Sequence, residues 1–433
     1  MEAKLGSFFH LKENKTNIKT EIFAGITTFM TMSYILAVNP SILSETGMDK
    51  GAVFTATVIS SVIATLFMAL FAKLPFALSA GMGLNAFFTY TVVMQMGKSW
   101  QYALTAVFLE GIIFVILSLF GIREMIFNSI PLSLKKAVSV GIGLFIAEIG
   151  LLNAGIIVPG EISLNLGKIA SKESLVFFFA LFLMGVLEVK KVKGSLLIGI
   201  IASTILSIIL QTSTLPQSVV QVPPSISPIA FKLQFSDIFT LEMFSVMFTF
   251  LFVDLFDTLG TLTGVATKAN LLDKDGRLPN VGKALLSDAI GTVCGALLGT
   301  STITTFVESA SGVEQGGRTG LTALSTAVCF LISLIFFPIF AIIPSTATSA
   351  ALVIVGLFMA TSIIDIDFSD YTESIPAFLT IIIMPLAYSI AEGIAFGMIS
   401  YALLKLFTGR VKEASVVVYI LAVVFLIRYL FLI

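Results

Sequence analysis

Apolar positions in this chain fall into long unbroken runs, not the one-faced or alternating patterns of soluble helices and strands. Runs near 22–42, 52–72, 76–96, 101–120, 131–150, 174–189 and 194–212 approach the roughly 20 apolar residues that cross a hydrocarbon core about 30 Å thick. They predict seven membrane spans. The stretch QTSTLPQSVVQVPPSISPIAFKLQFSD then interrupts the pattern, because Pro216, Pro223, Pro224 and Pro228 forbid a continuous helix. Seven further runs follow near 241–266, 284–300, 303–318, 320–343, 346–364, 374–391 and 393–409. The last apolar run, 415–433, contains Arg428, which leaves an interfacial helix and an extra span both open.

Because seven is odd, the second set of spans enters the membrane upside down relative to the first. The expected fold is an all-α polytopic membrane protein of fourteen spans, built as a seven-plus-seven inverted repeat. Composition agrees: 57% of the 433 residues are hydrophobic and 12% charged, against about 25% charged in soluble domains. A large soluble domain is excluded, and a net charge of -1 gives no reason to expect a nucleic-acid partner. Residues 1–20 are polar and mixed in charge without a signal-peptide pattern, so they are expected to form a cytoplasmic tail before a retained first span. Threading from that side leaves only Lys50, Lys98, Lys168, Lys172 and Lys232 outside and Arg428 unassigned, out of 25 Lys and Arg, as the positive-inside rule requires. Cys294 and Cys329 sit in apolar segments without metal-ligand neighbours and read as packing residues, so no cofactor or metal is expected.

The helical pattern fails at corresponding places in the two halves. Span three carries SAGMGLNAFF (79–88), with Gly81 and Gly83, and span ten carries VESASGVEQGGRTG (307–320), with Gly312, Gly316 and Gly317. Each such glycine costs about 1 kcal/mol relative to alanine inside a helix. Broken backbone at membrane depth survives only where protein or a wet cavity satisfies it, so the two breaks imply a shared polar site. GTVCGALLG in span nine differs: glycines at every fourth position without polar company read as a helix-packing face.

Acidic groups gather around those breaks. In LFVDLFDTLGTLTG, Asp254, Asp257, Thr258 and Thr261 share one face of span eight, and that stripe must look inward. Glu308 and Glu314 lie in or beside span ten, and Asn85 at the break of span three; the only basic residue in these spans is Arg318, near the cytoplasmic end. Such a set, rich in acceptors, suits a flat neutral molecule with several N–H donors, with Phe87, Phe88 and Phe306 offering aromatic faces. The only histidine is His10 in the tail, so proton coupling would fall to a carboxyl group, with Asp257 beside Asp254 the candidate. The same oxygens also suit sodium, and the two ions stay open at this point.

AGITTFMTMSYILAVNPSIL (24–43), SAGMGLNAFF, LFVDLFDTLGTLTGVA (251–266) and GTSTITTFVESASGVEQGGRTGLTAL (299–324) closely resemble the xanthine/uracil permease superfamily, the nucleobase:cation symporters and nucleobase-ascorbate transporters, in its adenine/guanine/hypoxanthine branch. The resemblance implies a core domain from spans 1–4 (21–122) and 8–11 (241–343), and a gate domain from spans 5–7 (123–213) and 12–14 (344–410). A Pro-rich linker (214–240) and a C-terminal segment (411–433) complete the chain, and spans three and ten carry short extended segments that meet at the substrate. By motif position, substrate contacts fall on Asp254, Glu308, Asn85 and Gly83, joined by Phe87, Phe306 and Ser309, and proton coupling on Asp257 with Asp254 and Glu308. The implied function is secondary import of a small purine base (hypoxanthine, guanine or adenine) through the cytoplasmic membrane with a coupling proton, not enzymatic. Gate domains in similar transporters often pair, so a homodimer in the lipid bilayer is a further expectation. An anion transporter of the same fold would want a cationic site, and an intramembrane aspartyl protease would want Gly-x-Gly-Asp on one span and an aspartate on another, whereas Asp254 and Asp257 share one helix.

Overall fold

A computed structural model describes residues 6–160, 164–216, 218–268, 271 and 278–432. The apolar runs resolve into helices whose ends are set by local side chains. α1 (Ile18–Met32) starts where the Asn17 side chain accepts from the Thr20 N–H, and a turn at Ser33 separates it from α2 (Ile35–Ser44). Asp49 caps α3 (Lys50–Phe67), which runs on as a π-helix to Ala72 and stops at Lys73 in the left-handed region. The chain then leaves the helical state: β1 (Leu78–Ala80) leads into α4 (Met82–Ala86), which is extended by a π-helical stretch, Phe87–Gln95. α5 (Trp100–Leu119), a short α6 (Ile122–Ser129) and α7 (Leu132–Asn153) follow. The hairpin of β2 (Ile157–Pro159) and β3 (Leu164–Leu166), absent from the sequence reading, precedes α8 (Lys172–Val189) and α9 (Ser195–Ile209).

Beyond the proline-rich linker, α10 (Leu241–Lys268) and α11 (Val281–Leu298) lead to β4 (Ile303–Thr305) and the short α12 (Ser309–Glu314). The chain ends in α13 (Gly320–Ser333), α14 (Phe337–Ala341), α15 (Ser345–Ala360), α16 (Tyr371–Leu386), α17 (Ile390–Phe407) and α18 (Val416–Leu432). Among the described residues, nine helical segments are long and apolar enough to cross a membrane: 18–44, 50–72, 100–119, 132–153, 241–266, 281–298, 320–341, 345–365 and 390–407. The molecule is a multi-pass membrane protein.

β1 and β4 pair antiparallel, with Leu78 opposite Thr305, Ser79 opposite Thr304 and Ala80 opposite Ile303. The Phe306 N–H donating to Ala77 O and the Gly81 N–H donating to Thr302 O, both at 3.0 Å, extend the pairing at either end. Two chain segments that would otherwise expose backbone donors in the interior thus satisfy each other. Gly81 permits the approach, since a Cβ there would stand 2.9 Å from the Thr304 hydroxyl oxygen.

Helix packing falls into two groups. α7 packs on α15 and α16, α16 on α17, and α15 on α8, which also holds α9. Separately, α5 packs on α11, α11 on α3, α3 on α2 and α13, and α1 on α12 and α13. α18 touches both groups: it packs on α17, and its Phe425 meets Phe248 and Phe252 of α10 at centroid distances of 5.7 and 6.5 Å.

An ionic cluster ties the ends of α16 and α17 to the start of α18. The fully buried Lys405 ammonium contacts Glu373 at 2.7 Å and Glu413 and Thr372 at 2.8 Å, while Arg410 contacts Asp370 and Glu413 at 2.7 Å. Hydrogen bonds from the Thr372 backbone and hydroxyl and from Arg410 hold the Asp370 carboxyl down at about 2, and Arg410, then Lys405, hold Glu413 at about 2. A depressed carboxyl contributes stability above its unfolded value, and that contribution disappears as pH falls through the folded one. The melting temperature of detergent-purified protein is therefore expected to drop between about pH 4 and about pH 2, and in Arg410→Gln to begin dropping at higher pH. Superimposable acid profiles for variant and parent would refute this account.

Candidate substrate site

The strand crossing positions side chains from α2, α4, α10 and α12. Glu308, just before α12, accepts from the Tyr34 hydroxyl at 2.6 Å, and Asp257 on α10 neighbours the Thr304 side chain on β4. Both acids are half-buried, and Val307 beside Glu308 is 53% exposed, so this pair borders open space. Asn85 on α4 is fully buried; its Oδ1 accepts from the Ser301 hydroxyl, and its Nδ2 has no partner among the described residues. Phe306 follows β4 directly.

The other expected site residues have structural contacts. Ser309 Oγ accepts from the Ala77 N–H at 3.0 Å, fastening α12 to the chain entering β1. Phe87 is 2% exposed and meets Phe250 edge-on at 4.8 Å. Gly83 lies against α7, where a Cβ would come within 2.7 Å of Ile142. Glu314 does not join the cluster: it pairs with Lys193 at 2.7 Å on an exposed edge. In span nine, Gly291 lies against Ala64 and Gly295 against Ile303, a close-packed face.

Asp254 points elsewhere. It has no exposed surface and accepts from Thr258 at 2.8 Å and from Arg123 Nη2 at 3.0 Å. The same Nη2 donates to Asp288 of α11 at 2.8 Å, Nη1 donates to Leu285 O at 3.2 Å, and the guanidinium stands 3.8 Å from the Phe114 ring centroid. Glu110 of α5 turns its carboxyl to that of Asp254 and accepts from Thr302 at 3.2 Å. All four charged side chains are fully buried.

This corrects the expectation that the acidic cluster has no basic partner but Arg318. Arg318 donates to its neighbouring carbonyls, Val313 O at 2.5 Å and Gly317 O at 2.7 Å. The true partner is Arg123 of α6, which in the sequence resembles an ordinary basic residue between two spans. Asp288 and Glu110, absent from the expected site, are each legible in the sequence as a lone acid inside an apolar run.

A multi-pass membrane chain whose polar groups converge on two paired strands, with ion-paired acids behind them, is organised as a transporter and not as an enzyme. The chain belongs to the Permease family described by the Xan_ur_permease model, which matches residues 19–396. It is 52% identical to the putative permease MJ0326 of Methanocaldococcus jannaschii, over 98% of this chain and 98% of that protein. Guanine/hypoxanthine permease PbuG of Bacillus subtilis is 43% identical over 98% of this chain and 99% of its own length. Adenine permease AdeP of Escherichia coli is 40% identical over 100% and 97%. In fold, the chain is similar to the transmembrane domain of the cyanobacterial bicarbonate transporter BicA, with a TM-score of 0.67, 18% identity and coverage of 87% of this chain and 97% of that one. The murine Slc26a9 anion transporter in its inward-facing state gives a TM-score of 0.62 at 12% identity, covering 90% and 68%.

Removing one member of a buried ion pair costs about 3–5 kcal/mol, because the remaining charges stay uncompensated. Arg123→Met is expected to lower thermal stability accordingly, and adding Asp288→Asn to recover part of the loss. Thermal unfolding of the two variants checks this; equal stability of Arg123→Met and wild type contradicts it.

Proposed function

We propose that this permease imports purine nucleobases across the cytoplasmic membrane together with protons, with its N-terminus in the cytoplasm. The observation that carries the reading is the half-buried pair Asp257 and Glu308 beside the β1–β4 crossing, with the unpaired Asn85 amide nearby. Two carboxylates accept ring and exocyclic N–H groups, and an amide donates to a ring nitrogen or carbonyl, which is the hydrogen-bonding complement of a neutral purine. The names of the similar adenine and guanine/hypoxanthine permeases support the same class.

Asp254, whose oxygens meet Arg123, Thr258 and Glu110, serves charge balance and coupling here, and base contact passes to Asp257 and Glu308. Phe87 and Phe306 supply apolar walls, while Ser309 and Gly83 hold the backbone that frames the site. Fourteen spans in a seven-plus-seven repeat remain the reading of the chain, supported by paired strands at corresponding places in the two halves. The two helix-packing groups support the division into core and gate. Transport then consists of a displacement of one group against the other.

A hydrogen bond to a charged group contributes about 1.5–3 kcal/mol, so Asp257→Asn and Glu308→Gln should each reduce hypoxanthine uptake at low concentration by roughly tenfold or more. Uptake of labelled hypoxanthine by cells with equal amounts of membrane-inserted protein measures this. Wild-type rates from both variants would overturn the site. Guanine or hypoxanthine should also raise the melting temperature of purified protein, as binding to the native state requires.

A further inference from the structure

We propose that Glu110 and Asp254 form a proton-sharing carboxyl pair that carries the coupling proton, set behind the substrate strands beside Arg123, whose charge it shares with Asp288. This rests on the proton-symport reading above. Both side chains are fully buried on α5 and α10, two helices that pack on each other, and their carboxyl groups are neighbours behind β4. Glu110 Oε1 has no donor from any described residue. Two carboxylates are both acceptors, so only a proton held by one of them can join them.

The charges around the pair set how many protons it holds. α10 contributes Asp254 and, one turn on, Asp257; α11 contributes Asp288; α6 contributes Arg123; and the loop before β4 contributes the neutral Thr302 hydroxyl. Glu110, Asp254 and Asp288 against Arg123 give a net charge of -2 when fully ionised. The shared proton reduces this to -1, and a second proton brings it to zero. An uncompensated charge away from water is unfavourable, so the doubly loaded array is the form suited to a core that moves through the bilayer. Loading takes the second proton from one side of the membrane, and unloading returns it to the other.

The array is also wired to the base site. Thr302 donates to Glu110 at 3.2 Å, the next-door Ser301 donates to Asn85, and Thr304 reaches Asp257, all from one short segment of chain. A base that pulls on Asn85 or Asp257 therefore moves the segment holding the Glu110 carboxyl. Asp257 faces the half-open site, whereas Glu110 is sealed from it.

Full-length protein in liposomes separates the two ideas. Three readouts are needed: exchange of labelled hypoxanthine at equal pH, accumulation driven by an imposed pH gradient with and without a protonophore, and the infrared C=O stretch of protonated carboxyl groups at neutral pH. Glu110→Gln, which keeps the shape and fixes the pair as if protonated, should exchange base but accumulate only to the level of protonophore-treated wild type. It should also lose a protonated-carboxyl band seen in wild type, and Glu110→Asp should restore part of the gradient-driven accumulation. Gradient-driven accumulation by Glu110→Gln equal to wild type, or an infrared band unchanged by the substitution, overturns the pair while leaving symport intact. Loss of exchange in both Glu110 variants makes the residue a structural support and overturns it as well. Wild-type accumulation indifferent to the protonophore removes the symport reading, and the proposal with it.

Discussion

Backbone groups in hydrocarbon must find partners within the protein, and the chain meets that constraint in an unusual way at β1 and β4. Each strand is three residues long and finds its partner strand in the other half of the chain; its own half adds only side-chain anchors, the Thr65 hydroxyl at Leu78, Ser61 at Ser79 and the Thr292 hydroxyl at Ile303. Neither is stable alone, since short strands depend on pairing. Their mutual pairing fixes where α4 and α12 begin, and with them Asn85, Glu308 and Ser309. It also explains why threonines crowd this segment: Thr302, Thr304 and Thr305 favour extended backbone and bring hydroxyl groups into the interior.

A second consequence concerns charge. α10 presents two acids on neighbouring turns, and the fold assigns them different surroundings: Asp257 meets the partly open crossing, and Asp254 meets a closed volume with Arg123. One residue borders open space; the other is enclosed by protein. That asymmetry comes from α6, a helix of eight residues whose arginine reaches across to α10 and α11. The short connection between two spans thus supplies a fixed positive charge to the interior.

Much of this was legible in the chain. The apolar runs located the helices, the glycines of SAGMGLNAFF and VESASGVEQGGRTG marked both departures from helix, and the spacing of Asp254 and Asp257 put them on neighbouring faces. The partner of Asp254 was not legible, because a basic residue between spans is the ordinary signature of a cytoplasmic loop and its burial depends on tertiary packing. The β2–β3 hairpin escaped for a similar reason: its residues sit between apolar runs and carry little periodicity. Glu314 was misgrouped because proximity in sequence to Glu308 says nothing about direction once a short helix turns between them.

The contact of α18 with α10 runs through benzyl rings: Phe425 lies between Phe248 and Phe252, and Phe252 meets Phe256 one turn further on. Ring stacks lack the directional demands of hydrogen bonds, and successive phenylalanines along one helix offer equivalent seats a turn apart. The terminal helix is thus seated on α10 through benzyl rings, while charge at its base moors it to α16 and α17.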